Sequence, residues 1–338
     1  MVKKTRKADQ KEKTFLGAID LGGTKIGSAL FTSGGRPAFR AKVLVDSRGG
    51  QEVVEQIILL YYQLEAEARA KKGRLLAVGL GVPGVVKPGS GLVWAPNIKG
   101  WKNLQLLKCL KKEIKCPISV VSDRTAYLLG EAWKGAAKGR RNIIYLAVGT
   151  GIGAGIMAEG QVIHGEGDLA GAVGWMALNR DFKRGYRQVG CFEWEASGRA
   201  LARKARLFIK SCPETFISSG KDSGSDKNEV EIVCQAARRG QSEAVKLVEE
   251  IQDYLAMGVA NLISAFNPEV VILGGGLFQS PDLFFEPLQK KFRRWAQPLA
   301  ASSVKLVLSA LGQEAALYGC ARSAWLGIQE KMARKGQG

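Results

Sequence analysis

Two segments of the chain repeat one design: an apolar strand, a glycine-rich tight turn and a second apolar strand. In the first, residues 15–20 run into Leu21-Gly22-Gly23-Thr24-Lys25, continue as residues 26–31 and close on Thr32-Ser33-Gly34-Gly35. In the second, residues 143–148 run into Gly149-Thr150-Gly151-Ile152-Gly153, then residues 154–158 and the turn Glu159-Gly160. A duplicated unit predicts two domains of similar design. Helical periodicity is expected over 52–72, with Val53, Val54, Ile57, Ile58, Tyr61 and Leu64 on one face, and over 104–115, 125–138, 244–266 and 314–330. Strands are expected at 75–82, 118–121 and 270–273. Strands alternating with helices place the chain in the α/β class. The expected division is a small domain over 14–124, completed by the last helix (about 314–330), and a large domain over 125–313. Residues 1–13 and 331–338 are expected to be basic flexible tails, and the Ser/Gly/Asp-rich stretch 211–229 an exposed loop.

A glycine-rich turn lets backbone amides approach phosphate oxygens closely, because no side chain intervenes. Neither loop has the Walker spacing, and a strand rather than a helix follows each. Gly149-Thr150-Gly151-Ile152-Gly153 does not continue as a dinucleotide fingerprint either, since 154–157 is strand-like. A third run, Gly274-Gly275-Gly276, follows residues 270–273. Two hairpins can clamp phosphates from opposite sides, while the third run leaves room for adenine and ribose.

Composition limits the alternatives. The 338 residues are 46% hydrophobic and 24% charged, normal for a soluble globular protein of two domains. The first thirteen residues are polar and basic without an apolar core behind them, so no secretory signal is expected and the location expected is cytoplasmic. The best membrane candidate, 142–158, contains four glycines and coincides with the second loop, so no membrane association is expected. Six cysteines lack a short paired spacing and His164 is the only histidine, so buried free thiols are expected rather than a metal site. His164 itself is expected to have a surface or packing role. The net charge of +19 attracts anions, but lysine and arginine are spread along the chain and densest in the tails. A solvated cationic surface is the expectation, with no sequence-specific nucleic acid as partner.

The run Ile19-Asp20-Leu21-Gly22-Gly23-Thr24-Lys25 resembles the first phosphate motif of the ROK family (repressors, open reading frames and sugar kinases). The likeness continues in the family's order through Gly81-Val82-Pro83-Gly84, Ala95-Pro96-Asn97-Ile98 with Gly100-Trp101, Ser122-Asp123, the 149–153 turn, Gly190-Cys191-Phe192-Glu193 and the 274–276 run. It covers about residues 15–325. The resemblance implies two actin-like (ribonuclease H-like) ATPase domains with an interdomain cleft. It also implies transfer of the γ-phosphate of Mg-ATP to a hydroxyl of a hexose or related carbohydrate, glucokinase-like in character. By resemblance, Asp123 is the general base on the sugar hydroxyl and Asp20 helps hold the Mg-nucleotide. Gly22, Gly23, Thr24, Lys25, Gly149, Thr150 and Gly151 take the phosphates, Gly274, Gly275 and Gly276 lie by the nucleoside, and Asn97 and Glu193 bind sugar hydroxyls. Asp123 also reads as a helix N-cap, a role compatible with the first. A homodimer is implied by the resemblance alone.

Departures from the family pattern fall on the sugar side. Kinases of the family carry Asn-Asp where this chain has Ser122-Asp123, and Glu-x-Gly-His where it has Ala172-Val173-Gly174-Trp175. The zinc motif, Cys-x-Cys-Gly-x-x-Gly-Cys, is reduced to Cys191, with Arg184 and Tyr186 in place of its first two cysteines, so no structural zinc is expected. Losing two sugar contacts of roughly 1–2 kcal/mol each would weaken glucose-like binding by about one to three orders of magnitude, unless others replace them. An altered sugar pocket is therefore expected. Trp175 either stacks on a sugar face or fills the volume vacated by the metal site and locks its loop, and the second is preferred. The alternative to a kinase is a non-catalytic sugar- or nucleotide-binding regulator on the same fold, lacking a DNA-binding domain.

Overall fold

A computed structural model describes residues 12–87, 90–211 and 226–336. The first half of the chain runs β1 (Lys13–Leu21), β2 (Lys25–Thr32), β3 (Pro37–Leu44), α1 (Gly50–Ala70), β4 (Gly73–Val82), β5 (Val85–Lys87), β6 (Leu92–Trp94), β7 (Lys102–Leu104), α2 (Leu106–Glu113), β8 (Ile118–Ser122) and α3 (Asp123–Lys134). The second runs β9 (Ile143–Val148), β10 (Ile152–Ala158), β11 (Gln161–Val162), α4 (Tyr186–Val189), α5 (Cys191–Ala196), α6 (Gly198–Ser211), α7 (Asp226–Arg238), α8 (Ser242–Phe266), β12 (Val270–Gly274), α9 (Pro281–Lys291), α10 (Pro298–Ser303), β13 (Lys305–Leu308) and α11 (Ala315–Lys335). Contacts divide the chain into Met1–Gly130 with Ala316–Gly338, and Glu131–Ala315. The division falls inside α3, between Gly130 and Glu131, and all of α11 after Ala315 belongs to the first unit.

The duplication read from the sequence is a duplication of topology. The first unit holds a sheet of order β3-β2-β1-β4-β8 and the second one of order β11-β10-β9-β12-β13. In each, two antiparallel hairpin pairings lead, and the last two strands join in parallel. Strands at the centre of such sheets are covered on both faces and read as unbroken apolar runs. Accordingly Phe15, Leu16, Ala18 and Ile19 of β1, and Val270, Val271, Ile272 and Leu273 of β12, are buried.

Helix α1 lays Val53, Val54, Ile57, Leu60, Tyr61, Leu64 and Ala68 against the first sheet, a stripe at three- and four-residue spacing. On the same sheet α11 approaches so closely that a Cβ on Gly79 would lie 1.8 Å from the Cys320 carbonyl oxygen. One on Gly319 would lie 1.7 Å from that of Ala126. Glycine is required at both contacts because backbone, not side chain, is the neighbour. In the second unit α8 is the central helix, burying Ala244, Val248, Ile251, Leu255, Val259 and Leu262. It ends on Asn267 in the left-handed conformation, whose N–H bonds to the Ile263 carbonyl.

Several expectations are revised. Helix α2 is shorter than 104–115, because Lys102–Leu104 pairs instead as β7 in a small sheet β5-β6-β7. Lys13 already belongs to β1, and α11 continues through 331–335, so the presumed tails are partly structured. Residues 1–11 and most of the 211–229 stretch lie outside the described residues, but Asp226 already begins α7. Cys191, Cys234 and Cys320 are buried free thiols, whereas Cys109 and Cys116 are only half-buried; Cys212 lies outside the described residues. Half-exposed His164 bonds through Nδ1 to Asp168, 2.7 Å away. No helix among the described residues is long and apolar enough to cross a membrane.

Trp101 is fully buried, and its indole N–H donates to the Gly50 carbonyl at 3.0 Å, pinning the 95–101 turn to the start of α1. Trp101→Ala should cost about 3–5 kcal/mol in urea unfolding. Trp101→Phe, which leaves the Gly50 carbonyl without that donor, should cost about 1–3 kcal/mol.

Candidate active site

In the first unit, strand register brings two carboxylates to one end of the sheet. Asp20 of β1 is level with Gly81 of β4, Gly81 with Val121 of β8, and Val82 with Ser122. Asp123 therefore follows directly from β8 at the carboxyl ends of the strands, where open α/β sheets place their ligands. Burial pushes the Asp20 carboxyl up to about 7, the charge of Asp123 pushes the same way, and Lys42 opposes both. Beneath it on α11, the Cys320 thiol is held far above its ordinary range by burial, with Asp20 adding to the effect.

The capping role read for Asp123 falls to its neighbour. Ser122 Oγ accepts from Thr125 N at 3.4 Å and donates to Thr125 Oγ1 at 3.1 Å, the pattern of an N-cap three residues ahead. Asp123 Oδ1 accepts from Arg124 N at 2.8 Å. The 21–25 turn is closed by Gly22 N–H on the Lys25 carbonyl at 2.9 Å, which leaves Gly23, Thr24 and Lys25 exposed at its tip. Asn97 is exposed on the turn between β6 and β7. That turn meets the end of β4 at Gly84, where a Cβ would lie 2.2 Å from the Trp94 carbonyl oxygen.

In the second unit the two glycine runs are neighbours. A Cβ on Gly149 would meet only Gly276 N, at 3.9 Å. The 149–153 turn is held by Gly149 N–H on the Gly151 carbonyl (3.0 Å) and by Gly198 N–H, at the start of α6, on the Gly149 carbonyl (2.7 Å). Thr150 is exposed at its tip. The room expected beside the third run exists at Gly276, which faces open space. Gly274 and Gly275 are glycines for internal reasons. A Cβ on Gly274 would lie 2.0 Å from the Tyr145 hydroxyl, and Gly275, at φ +102°, lies against the Val148 carbonyl.

Glu193 of α5 reaches this turn: its Oε2 accepts from Ile152 N at 2.7 Å and leaves no space for a side chain at Gly151. Burial raises the Glu193 carboxyl, with the Ile152 N–H and Arg199 opposing. Helix α5 is seated by fully buried Phe192, whose ring fills the place of a side chain at Gly258 of α8.

An ion cluster lies around Tyr186, at the position of the second cysteine of the metal motif. Glu195, almost wholly buried, takes the Tyr186 hydroxyl at 2.5 Å, Lys183 Nζ at 2.6 Å and Lys204 Nζ at 3.2 Å; Lys204 also pairs with Glu250 at 2.9 Å. Burial pushes Glu195 upward, but Lys183, Tyr186 and Lys204 together hold its carboxyl below the ordinary value. Asn179 Nδ2 donates to the Tyr186 and Tyr254 hydroxyls. Among the described residues, no group of three or more His, Cys, Asp or Glu could hold a metal ion.

Trp175 does not fill a vacated volume, contrary to the preferred expectation. It is 57% exposed, held by its backbone where Gly190, at φ +85°, packs on its Cα. The indole stands on the surface one residue from Gly174, which lies against Glu193.

Because a raised Asp20 pKa means that the folded protein holds a proton the unfolded chain releases, this group's contribution to stability falls as pH rises from 3.8 towards about 7. Asp123→Asn removes the second cause of the shift. In metal-free protein the Asp20 carboxyl followed by carbon NMR should then titrate below about 7, and the pH window of stability loss should narrow.

Comparison with known proteins identifies the family. The ROK family model matches residues 16–326. A glucokinase of Halalkalibacterium halodurans is 30% identical over 318 residues, 93% of this chain and 94% of that protein. A ROK hexokinase structure from Thermus thermophilus superposes with a TM-score of 0.80 at 32% identity, covering 94% of this chain and 99% of that one. A ROK family glucokinase from Streptomyces griseus, in complex with glucose and AMPPNP, gives a TM-score of 0.75 at 30% identity, covering 92% and 99%. A xylose repressor of Caldicellulosiruptor bescii is also 31% identical over 277 residues, 80% of this chain and 68% of that protein. The two superposed structures are ROK kinases of the actin-like two-domain ATPase fold, and the chain belongs to the ROK family.

Proposed function

We propose that the protein is an ATP-dependent sugar kinase that transfers the γ-phosphate of ATP to a hydroxyl of a hexose or related carbohydrate. The observation that carries this reading is the placing of Asp20 and Asp123 at the carboxyl ends of β1 and β8, on either side of β4 in one sheet. The glucokinases and the glucose–AMPPNP complex among its relatives support the same chemistry.

In this reading Asp123 accepts the proton of the attacking hydroxyl as its oxygen bonds to γ-phosphorus and the bond to the β-phosphate oxygen breaks, releasing ADP. Two carboxylates, one of them buried and short of positive partners, are a donor set suited to a hard divalent cation. Asp20 would hold Mg²⁺ with the nucleotide, and the cation, when bound, would neutralise charge on the phosphate oxygens. Gly23, Thr24 and Lys25, exposed at the first tip, and Thr150 with Gly151 in the second would donate to the phosphates; Gly22 and Gly149, whose own N–H groups close the turns, would let the phosphates approach, and Gly276 would border the nucleoside.

The acceptor side is where the chain departs from its relatives. Glu193 and Asn97 would bind sugar hydroxyls, but Ala172 and Trp175 supply neither a carboxylate nor an imidazole. The exposed Trp175 indole, one residue along from Gly174, which lies against Glu193, would offer instead a flat apolar face for the C–H side of a sugar ring. The pocket therefore favours a sugar or polyol other than the one a standard glucokinase takes.

ADP release with Mg-ATP across hexoses, amino sugars and polyols tests the reading, with Asp123→Asn run beside the wild type. The variant should lose about 10²–10⁴-fold in kcat while its KM for ATP changes little. No sugar-stimulated turnover by the wild type would sink the kinase; undiminished turnover by Asp123→Asn would sink the assignment of the base. For the preferred sugar, Trp175→Ala should raise KM about two- to tenfold, the worth of one aromatic contact, with kcat nearly unchanged.

A further inference from the structure

Glu131 is a fully buried carboxylate that the proposed chemistry does not use. Its Oε2 accepts from Ala136 N at 2.7 Å, and its Oε1 accepts from Ser309 Oγ at 2.5 Å and Leu311 N at 2.9 Å. Ser309 follows β13, and its backbone N–H bonds to the Leu273 carbonyl on β12. A hydroxyl has one proton to give. With that proton spent on Glu131, Ser309 Oγ accepts from Gly312 N at 3.0 Å, and it also bonds with the Tyr145 phenol. Burial pushes the Tyr145 phenol up to about 12, with the Ser309 bond opposing. The same phenol oxygen fills the space where a side chain at Gly274 would stand.

These bonds join two places that the chain sets far apart. At one end lies the 274–276 run. At the other lies α3, which begins at Asp123 and crosses from the first unit into the second at Glu131. Leu311, on the same carboxylate oxygen, leads into α11, where the chain returns to the first unit. One carboxylate thus ties both crossings, about 12 Å along the helix axis from Asp123. A buried charge is a costly way to stabilise a fold and a good way to specify one arrangement of its partners.

We propose that Glu131, Ser309 and Tyr145 are positioning residues, a buried polar latch that couples nucleotide at the 274–276 run to the placement of the helix carrying Asp123. This rests on the kinase reading, in which that run borders the nucleoside and Asp123 is the base. Ser309→Ala and Tyr145→Phe are the informative variants, since in both Glu131 keeps its bonds to Ala136 N and Leu311 N.

Hydrogen exchange of residues 123–134 should be measured with and without Mg-AMPPNP, beside AMPPNP affinity and steady-state kinetics. Wild type should show exchange slowed by about five- to tenfold on nucleotide binding. Either variant should bind AMPPNP within about threefold of wild type yet lose that slowing, with kcat reduced about five- to tenfold. Ser309→Thr, which restores a hydroxyl, should recover both. Nucleotide-dependent protection that survives in Ser309→Ala and Tyr145→Phe would overturn the latch alone. Failure of the wild type to bind AMPPNP would overturn the kinase reading and the latch with it.

Discussion

Parallel pairing between strands buried on both faces is the constraint on which the rest of the molecule depends. In β1, four apolar residues are sealed between α1 and α11, and the first carboxylate comes immediately after them. Side chains alternate along a strand, so a slip of one residue would force Asp20 into the core or draw Ile19 out of it. Because β4 is fixed against β1 and β8 against β4 in the same way, Asp123 is delivered to the same end of the sheet as Asp20. Their repulsion is then a consequence of packing, paid for by the apolar core on either side. The second sheet repeats the device, with Val148 and Gly274 at the ends of β9 and β12 setting two glycine turns side by side.

Two buried carboxylates do a different job. Glu195 collects two lysines and a tyrosine, and Glu131 collects a serine and two backbone amides. Neither gains much stability over a well-packed apolar residue, since desolvation consumes most of the attraction. Each does restrict which segments can meet. Glu195 holds α4, α5 and α6 together two residues from Glu193, and nearby Trp175 stands open to solvent.

Much of the fold was legible in the sequence because its signals are local. The apolar runs of β1, β9 and β12, the stripe of α1 and the glycine turns follow from periodicity and from backbone conformation. Strands β3 and β7 were not legible: β3 is an edge strand whose residues are mostly exposed, and Lys102–Leu104 reads equally well as the start of a helix. The candidate site residues, Asp20, Asp123, Glu193 and the two hairpin turns, come from the resemblance to the ROK family rather than from any local pattern. Nothing near Gly274 and Gly275 in sequence reveals that Tyr145 and the Val148 carbonyl press against them. Glu131 was passed over, although a carboxylate within Leu128-Leu129-Gly130-Glu131-Ala132-Trp133 was the available sign that something must answer its charge.

By itself the sequence determined that this chain builds two α/β units around glycine-rich hairpins, with an acid ending the first strand and another opening a helix. Those properties belong to single strands and turns, and short-range sterics and burial are enough to specify them. Only the tertiary structure decided which groups act on one another: that the charge of Asp123 bears on Asp20, that Gly149 adjoins Gly276, that Trp175 lies open, and that Glu131 bonds to Ser309 and Leu311. Each of these depends on the register between distant strands or on the close approach of two backbones. No local pattern encodes either of them, because their energies exist only once the intervening chain has folded.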